Sequence, residues 1–176
     1  LYGFIRRLKP HNILETGTYS GVSSLYMAQA LKDNGFGNLD TIELDEFHIK
    51  RATELWTKNN VNTYINAIHS DSLKFNPNRQ YQLMFLDSEP YLRFNELINF
   101  YSYLDEGGYI FVHDMPRSLC QGNINPDHPD FKSWPVGEIS EDFNNLIRER
   151  KLVQFFFAGA RGLVGYYKKH KDDYQP

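Results

Sequence analysis

The chain has 176 residues, 41% apolar and 23% charged, with one cysteine, Cys120. That length suits one domain around one core, the composition excludes disorder and coiled coil, and a lone thiol excludes a disulfide framework or a multi-cysteine zinc site. Nineteen basic against 22 acidic residues leave a net charge of −3 without a strong basic cluster, which excludes a groove built to neutralise nucleic-acid phosphates.

No apolar run is long enough to cross a bilayer, and the opening Leu1-Tyr2-Gly3-Phe4-Ile5-Arg6-Arg7 lacks the order of a signal peptide. A soluble, cytoplasmic protein is the expectation. The sequence opens on leucine, so an N-terminal cap is left open, and self-association into a homo-oligomer is compatible with everything read here.

Short apolar runs alternate with longer helical ones, the pattern of strand-helix-strand units around a mainly parallel sheet. The first strand falls near Asn12–Glu15. A helix follows over Val22–Lys32, with an apolar stripe of Val22, Leu25, Tyr26 and Ala28, and Asn34-Gly35 ends it as a C-cap. The second strand is Leu39–Glu43 and the second helix Glu46–Asn59, with Asp45 as its N-cap. Strands at Tyr64–His69 and Gln82–Leu86 come next, then a helix over Arg93–Tyr103 stopped by Gly107-Gly108, and a fifth strand at Tyr109–His113. The stretch Met115–Val136, with Pro116, Pro126, Pro129 and Pro135, is longer than a compact domain tolerates without a use and is expected to be a lid or substrate wall. Helix resumes at Glu138–Arg150. Two apolar runs, Leu152–Ala158 and Gly162–Tyr167, are separated only by Gly159-Ala160-Arg161, a connection short enough to join only an antiparallel pair.

Chemistry concentrates at the strand ends. In Ile13-Leu14-Glu15-Thr16-Gly17-Thr18-Tyr19-Ser20-Gly21-Val22-Ser23 a strand feeds a turn in which Gly17 and Gly21 permit close approach, and the turn opens a helix. The spacing is not the dinucleotide G-x-G-x-x-G. Glu15 adds negative charge where a phosphate would want bare amides, so a cationic ligand suits the site better. An ordinary tight turn is the plain alternative. Glu43 ends the second strand 22 residues after Gly21, where a carboxylate accepts from both hydroxyls of a ribose. Asp71 and Ser72, after the third strand, stand at the depth of an adenine edge, although an aspartate there also serves as a turn residue.

These runs, with Phe85-Leu86-Asp87 and Gly107-Gly108-Tyr109-Ile110-Phe111-Val112-His113-Asp114, resemble a class I S-adenosylmethionine-dependent methyltransferase. The similarity is closest to small-molecule O-methyltransferases of the catechol, caffeoyl-coenzyme A and sugar-antibiotic kinds. The resemblance implies an α/β, Rossmann-like fold, with helices on both faces of a seven-stranded sheet. Six strands would be parallel and one reversed, in a C-terminal antiparallel hairpin. It also implies that Glu15, Gly17, Tyr19, Gly21 and Ser23 border the methionine part of S-adenosylmethionine, Glu43 the ribose, and Asp71 with Ser72 the adenine, with Asp87 also on the cofactor side. Asp87 and Asp114 are the positions at which catechol-type enzymes hold Mg2+.

Two positions depart from that pattern. The asparagine that completes the magnesium set is Met115, a poor donor for a hard cation, and the catalytic lysine position is Pro90. His113-Asp114 is closer to the pair that ends the fifth strand in sugar and antibiotic methyltransferases. His113 is then the candidate general base, taking a hydroxyl proton as methyl arrives on a small-molecule acceptor. A half-buried histidine bonded to a backbone carbonyl is the plain alternative, and for Asp114 a turn cap. His128, Tyr91 and Trp134 are lesser candidates for the acceptor side. The aromatics Phe155, Phe156, Phe157, Tyr166 and Tyr167 read as hairpin core, and Lys168-Lys169-His170-Lys171 as a solvated tail. Two competing readings are a non-catalytic domain that keeps the fold and a nicotinamide-dependent dehydrogenase, which the glycine spacing disfavours.

Overall fold

The computed structural model describes residues 1–115, 140–157 and 162–173. In chain order the elements are α1 (Tyr2–Leu8), β1 (Asn12–Thr16), α2 (Val22–Asn34), β2 (Asn38–Glu43), α3 (Glu46–Lys58), β3 (Ile65–His69), β4 (Tyr81–Leu86), α4 (Arg93–Tyr101), β5 (Leu104–Val112), α5 (Glu141–Arg148), β6 (Leu152–Phe157) and β7 (Leu163–Lys168). The seven strands follow the order β3-β2-β1-β4-β5-β7-β6. The chain divides into two compact units, Leu1–Met84 and Phe85–Pro176.

In the first unit β1 pairs parallel to β2, and β2 parallel to β3, with Glu15 opposite Thr41 and Glu43 opposite His69. Parallel strands buried on both faces read as continuous apolar runs, and Ile13, Leu14, Leu39 and Ile42 are buried accordingly. The helices pack on this core through Met27, Ala28, Leu31, Ala52 and Trp56. Asp45 caps α3 by accepting from the Phe47 N–H at 2.8 Å, and Gly35 ends α2 by donating to the Leu31 and Lys32 carbonyls, both as the sequence suggests.

In the second unit β7 runs antiparallel to both β5 and β6, with Leu152 opposite Lys168 and Phe157 opposite Leu163. This is the expected terminal hairpin. Phe143 of α5 bridges Phe94 of α4 and Tyr166 of β7 in edge-on contacts, at centroid separations of 5.0 and 5.5 Å.

Several expectations need correction. Helix α1 carries no signal in the sequence: it is 7 residues long and no side chain caps it. The face of α2 is rotated from the stripe read above, since Val22 and Tyr26 are 49% and 59% exposed while Ser24, Met27, Ala28 and Leu31 are buried. A serine on the buried face is admitted because Glu15 accepts its hydroxyl. Helix α4 ends at Tyr101, and Gly107-Gly108 lie inside β5, which starts at Leu104. Gly107, at φ +78°, kinks the strand where the His170 ring lies, and a Cβ there would sit 2.7 Å from His170 Nε2. Lys168 is no solvated tail: its ammonium donates to the Tyr101 and Leu104 carbonyls at 3.1 and 2.6 Å and lies over the Tyr101 ring. Of the hairpin aromatics Tyr166 is fully buried, whereas Phe157 is exposed. Cys120, His128, Trp134, the proline-rich stretch after Met115 and the Gly159-Ala160-Arg161 connection lie outside the described residues.

Gly21 is required by packing as well as by the turn. It adopts φ +74°, and a Cβ would fall 2.6 Å from Ala52 Cβ and 2.8 Å from Trp56 Nε1. The left-handed backbone costs roughly 1–2 kcal/mol and overpacking about 1–3 kcal/mol, so Gly21→Ala should destabilise the chain by about 2–5 kcal/mol. Urea denaturation checks it; a loss within experimental error would mean that α3 yields without cost.

Candidate functional site

The first unit builds one cluster around the β1-to-α2 turn. Glu15, at the end of β1, is fully buried. Its Oε1 accepts from Ser23 Oγ at 2.5 Å, and its Oε2 from Ser24 Oγ and from Thr41 Oγ1 at 2.6 Å. Thr41 spends its only hydroxyl proton on Glu15, so Thr18, 2.7 Å away, must donate to Thr41. A buried carboxylate is tolerable only when hydrogen-bonded in this way. The network fastens the strand, the turn and the first turn of α2 into one piece. The sequence points to Ser23 but not to Ser24, Thr18 or Thr41, because isolated hydroxyls inside a helix or strand carry no signature until their partner is known.

Gly17 extends the strand pairing into the turn by donating to the Ile42 carbonyl at 3.0 Å. Trp56 Nε1 donates to the Gly21 carbonyl at 2.9 Å. Tyr19 has φ +44° and is 64% exposed. Its N–H donates to Glu43 Oε2 at 2.8 Å, while the Asp45 N–H donates to Glu43 Oε1 at 2.9 Å. Two backbone donors thus hold the Glu43 carboxylate at the carboxyl end of β2, each oxygen keeping a lone pair for a further donor. His48 Nδ1 lies 3.7 Å from Glu43 Oε1, and its ring meets the Tyr19 ring edge-on at 4.8 Å.

Asp71 takes a turn role: its Oδ1 accepts the Leu73 N–H at 3.0 Å and its Oδ2 lies 3.0 Å from Lys74 Nζ. Those bonds, that of Lys74 first, hold its carboxyl below the usual range. Ser72 is half-buried beside it.

The second unit carries a different cluster, on the ends of β4 and β5. The His113 N–H donates to the Leu86 carbonyl at 3.1 Å, which continues the strand contact past β5 and brings two side chains together. His113 Nδ1 stands 3.0 Å from Asp87 Oδ1 and 3.6 Å from Asp114 Oδ2. The hydrogen bond to Asp87 raises the His113 pKa above its ordinary value, against the opposing effect of burial. Neutral His113 with Nδ1–H on Asp87 has Nε2 free to accept a proton.

Arg93, at the start of α4, joins this cluster, and nothing in the sequence marks it. It is 3% exposed. Its guanidinium donates to the Ser88 carbonyl through Nε at 2.9 Å, to the His113 carbonyl, and to Asp87 Oδ1 at 3.2 Å. Burial lowers its pKa, while Asp87, Asp114, Glu96 and Glu89 oppose that shift. A lone arginine at a helix start looks like any solvated one; only the two strand ends reveal its role.

Asp87, His113 and Asp114 each present a ligand atom within 4.8 Å of the others. Asp114 has φ +48°, and its Oδ1 is buried without a partner among the described residues. An orphaned carboxylate oxygen beside a second carboxylate and an imidazole is a donor set that fits a divalent cation. Met115, where the catechol pattern has an oxygen donor, is buried. Tyr91 is exposed, and Pro90 gives the loop no ionisable side chain.

The fold has solved relatives. An S-adenosylhomocysteine-bound methyltransferase from Podospora anserina aligns over 96% of this chain and 76% of its own, with TM-score 0.74 and 20% identity. The O-methyltransferase TomG from Streptomyces achromogenes, in complex with S-adenosylmethionine, aligns over 96% and 78%, with TM-score 0.71 and 19% identity. An O-methyltransferase from Bacillus cereus in complex with S-adenosylhomocysteine gives 96%, 78%, 0.71 and 18%. At these identities the likeness establishes the Rossmann-like α/β fold of methyltransferases. No curated protein matches the sequence significantly. A family model described as a methyltransferase domain matches residues 14–115, which span the Glu15 turn, Glu43, Asp87 and the His113-Asp114 pair. The chain belongs to this family of methyltransferase domains.

Proposed function

We propose that this methyltransferase moves the methyl group of S-adenosylmethionine to a hydroxyl oxygen of a small molecule. The observation that carries the acceptor half is the Asp87–His113 pair at 3.0 Å, which orients the imidazole and turns Nε2 into a proton acceptor. The structural neighbours described as O-methyltransferases support the same chemistry.

The donor contacts belong to the first unit. Glu43 accepts from the ribose hydroxyls with its remaining lone pairs. The turn from Gly17 to Ser23 faces the methionine portion, kept rigid by the Glu15 network, and Asp71 with Ser72 faces the adenine. In the second unit Asp87 fixes the imidazole and Arg93 fixes Asp87. S-adenosylmethionine, when bound, would supply the activated methyl group: the acceptor oxygen would form the new C–O bond while the S–CH3 electron pair returned to sulfur, giving S-adenosylhomocysteine. The hydroxyl proton passes to His113 Nε2. The sulfonium is already an activated leaving group, so orientation supplies most of the rate. Asp87 and Asp114 are the residues that would hold a divalent cation, which would polarise the acceptor hydroxyl and lower its pKa.

Among the described residues no helix is long and apolar enough to cross a membrane. With a net charge of −3, the reading takes the reaction to be cytoplasmic and the acceptor to be a small diffusible molecule, not a nucleic acid.

Calorimetric titration with S-adenosylmethionine and S-adenosylhomocysteine tests the donor; absence of binding by both would overturn the proposal. His113→Ala should leave the cofactor Kd within about twofold and cut turnover by roughly 10²–10⁴. The base works only when neutral, and its pKa is raised. Turnover should therefore fall on the acid side with a midpoint above about pH 6.5, and Asp87→Asn should move that limb down. The stability linkage has the opposite sense. A raised histidine pKa stabilises the fold fully below about pH 6.5, and the contribution is lost as the pH rises through the raised value.

A further inference from the structure

We infer that His48 governs the hold on the methyl donor as a proton-operated competitor: when charged, its Nδ1 takes the Glu43 oxygen that a ribose hydroxyl needs, so acid weakens donor binding. The inference rests on the ribose role proposed for Glu43. Its basis is a closed ring of contacts. Glu43 Oε2 accepts the Tyr19 N–H at 2.8 Å, and Oε1 accepts the Asp45 N–H at 2.9 Å. The Tyr19 ring meets the His48 ring edge-on at 4.8 Å, and His48 Nδ1 returns to Glu43 Oε1 at 3.7 Å.

The lone pairs of Glu43 decide what a proton on His48 does. A carboxylate has about four acceptor positions. Backbone N–H groups fill two of them, and the other two match the two hydroxyls of one ribose. At 3.7 Å His48 and Glu43 share no hydrogen bond, so the neutral ring leaves both positions open. A charged imidazole closes to the roughly 2.7–2.9 Å of a charge-assisted bond, a movement of about 1 Å, and fills the second position on Oε1. One ribose hydroxyl then loses its acceptor. The carboxylate gains no orientation in return, because the Tyr19 and Asp45 N–H groups already fix it.

The other charged and titratable groups at this corner are engaged elsewhere. Asp45 caps α3 on the Phe47 N–H, Glu46 pairs with Lys50 at 3.3 Å, and Arg51 lies over the Phe47 ring. His69, on β3, stands opposite Glu43 in register, but its Nε2 contacts the Leu44 carbonyl at 3.0 Å. Among the described residues, Glu43 is the carboxylate that faces the His48 ring. An imidazole is the side chain whose charge ordinarily changes between about pH 5 and 8.

Calorimetric titration of the wild-type chain with adenosine, from about pH 5.5 to 8, tests the inference. Adenosine has the ribose but lacks the titratable amino-acid end of the full cofactor. Its affinity should fall roughly tenfold toward the acid end. Binding midway should release part of a proton, read as a heat that varies with the ionisation enthalpy of the buffer. His48→Phe keeps an aromatic ring beside Tyr19 and cannot charge, so its affinity should stay flat at the wild-type alkaline value. His69→Gln should retain the full dependence. S-adenosylhomocysteine gives the same comparison as the difference between the wild-type and His48→Phe profiles. A wild-type affinity that does not change with pH, or an unchanged dependence in His48→Phe, would overturn this inference and leave the donor site standing. Failure of adenosine and S-adenosylmethionine to bind at any pH would instead overturn the ribose reading, and this inference with it.

Discussion

Replacing Glu43 with alanine should raise the Kd for S-adenosylmethionine roughly 100-fold. A hydrogen bond to a charged group contributes about 1.5–3 kcal/mol, and in the proposed binding mode two ribose hydroxyls would meet the one carboxylate. Their loss, less what water restores, comes to about 2.7 kcal/mol, or two decades in affinity. Alanine also releases the Tyr19 and Asp45 N–H groups that Glu43 now holds. Both lie at exposed residues, so water replaces the lost acceptor and the fold should be nearly unaffected. Glu43→Gln should fall between, because it keeps one acceptor oxygen and presents an NH2 group to the other donor. Titration calorimetry with matched unfolding curves reads the result. An unchanged Kd in Glu43→Ala would remove the ribose role.

Glu15→Ala should instead cost stability, about 3–5 kcal/mol in urea denaturation, whether or not cofactor is present. The substitution strands the hydroxyls of Ser23, Ser24 and Thr41 around a fully buried site, and each buried polar group left unpaired costs roughly 1–3 kcal/mol. Some of the hydroxyls can turn to each other or to backbone carbonyls, which keeps the total below the sum. A loss under about 1 kcal/mol would show that they re-pair among themselves. Together the two variants separate neighbouring carboxylates with opposite assignments, one read in ligand affinity and the other in the denaturation midpoint.

Glu15 also shows the limit of sequence reading here. The strand-turn-helix around it was legible because its glycines, apolar run and helix start repeat a local pattern. Its charge was expected to face a cationic ligand, yet both oxygens are taken by hydroxyls from α2 and β2. Thr41 sits 26 residues away, and nothing local announces that strand register puts it opposite Glu15. Caps and hairpins, being local, came through: Asp45, Gly35 and the β6–β7 pair are where the sequence indicates. The start of β5 did not, because Gly107-Gly108 normally signal a stop, and only pairing and the His170 ring explain their place inside a strand. Arg93 escaped for the same reason as Thr41, its three acceptors lying on two strand ends. Asp87, His113 and Asp114 stood out because acidic and imidazole side chains at strand ends are few, and the structure brings those three together.

Trp56 offers a consequence of a different kind. Its indole N–H is tied to the carbonyl of Gly21, the residue that opens α2, and the ring is almost wholly buried. That proton can exchange with solvent only when the bond breaks and water reaches it. Its exchange rate is a clock set on the donor turn. Read by NMR at one resolved indole resonance, it times how often α2 lifts from α3 and how far a bound ligand slows that opening.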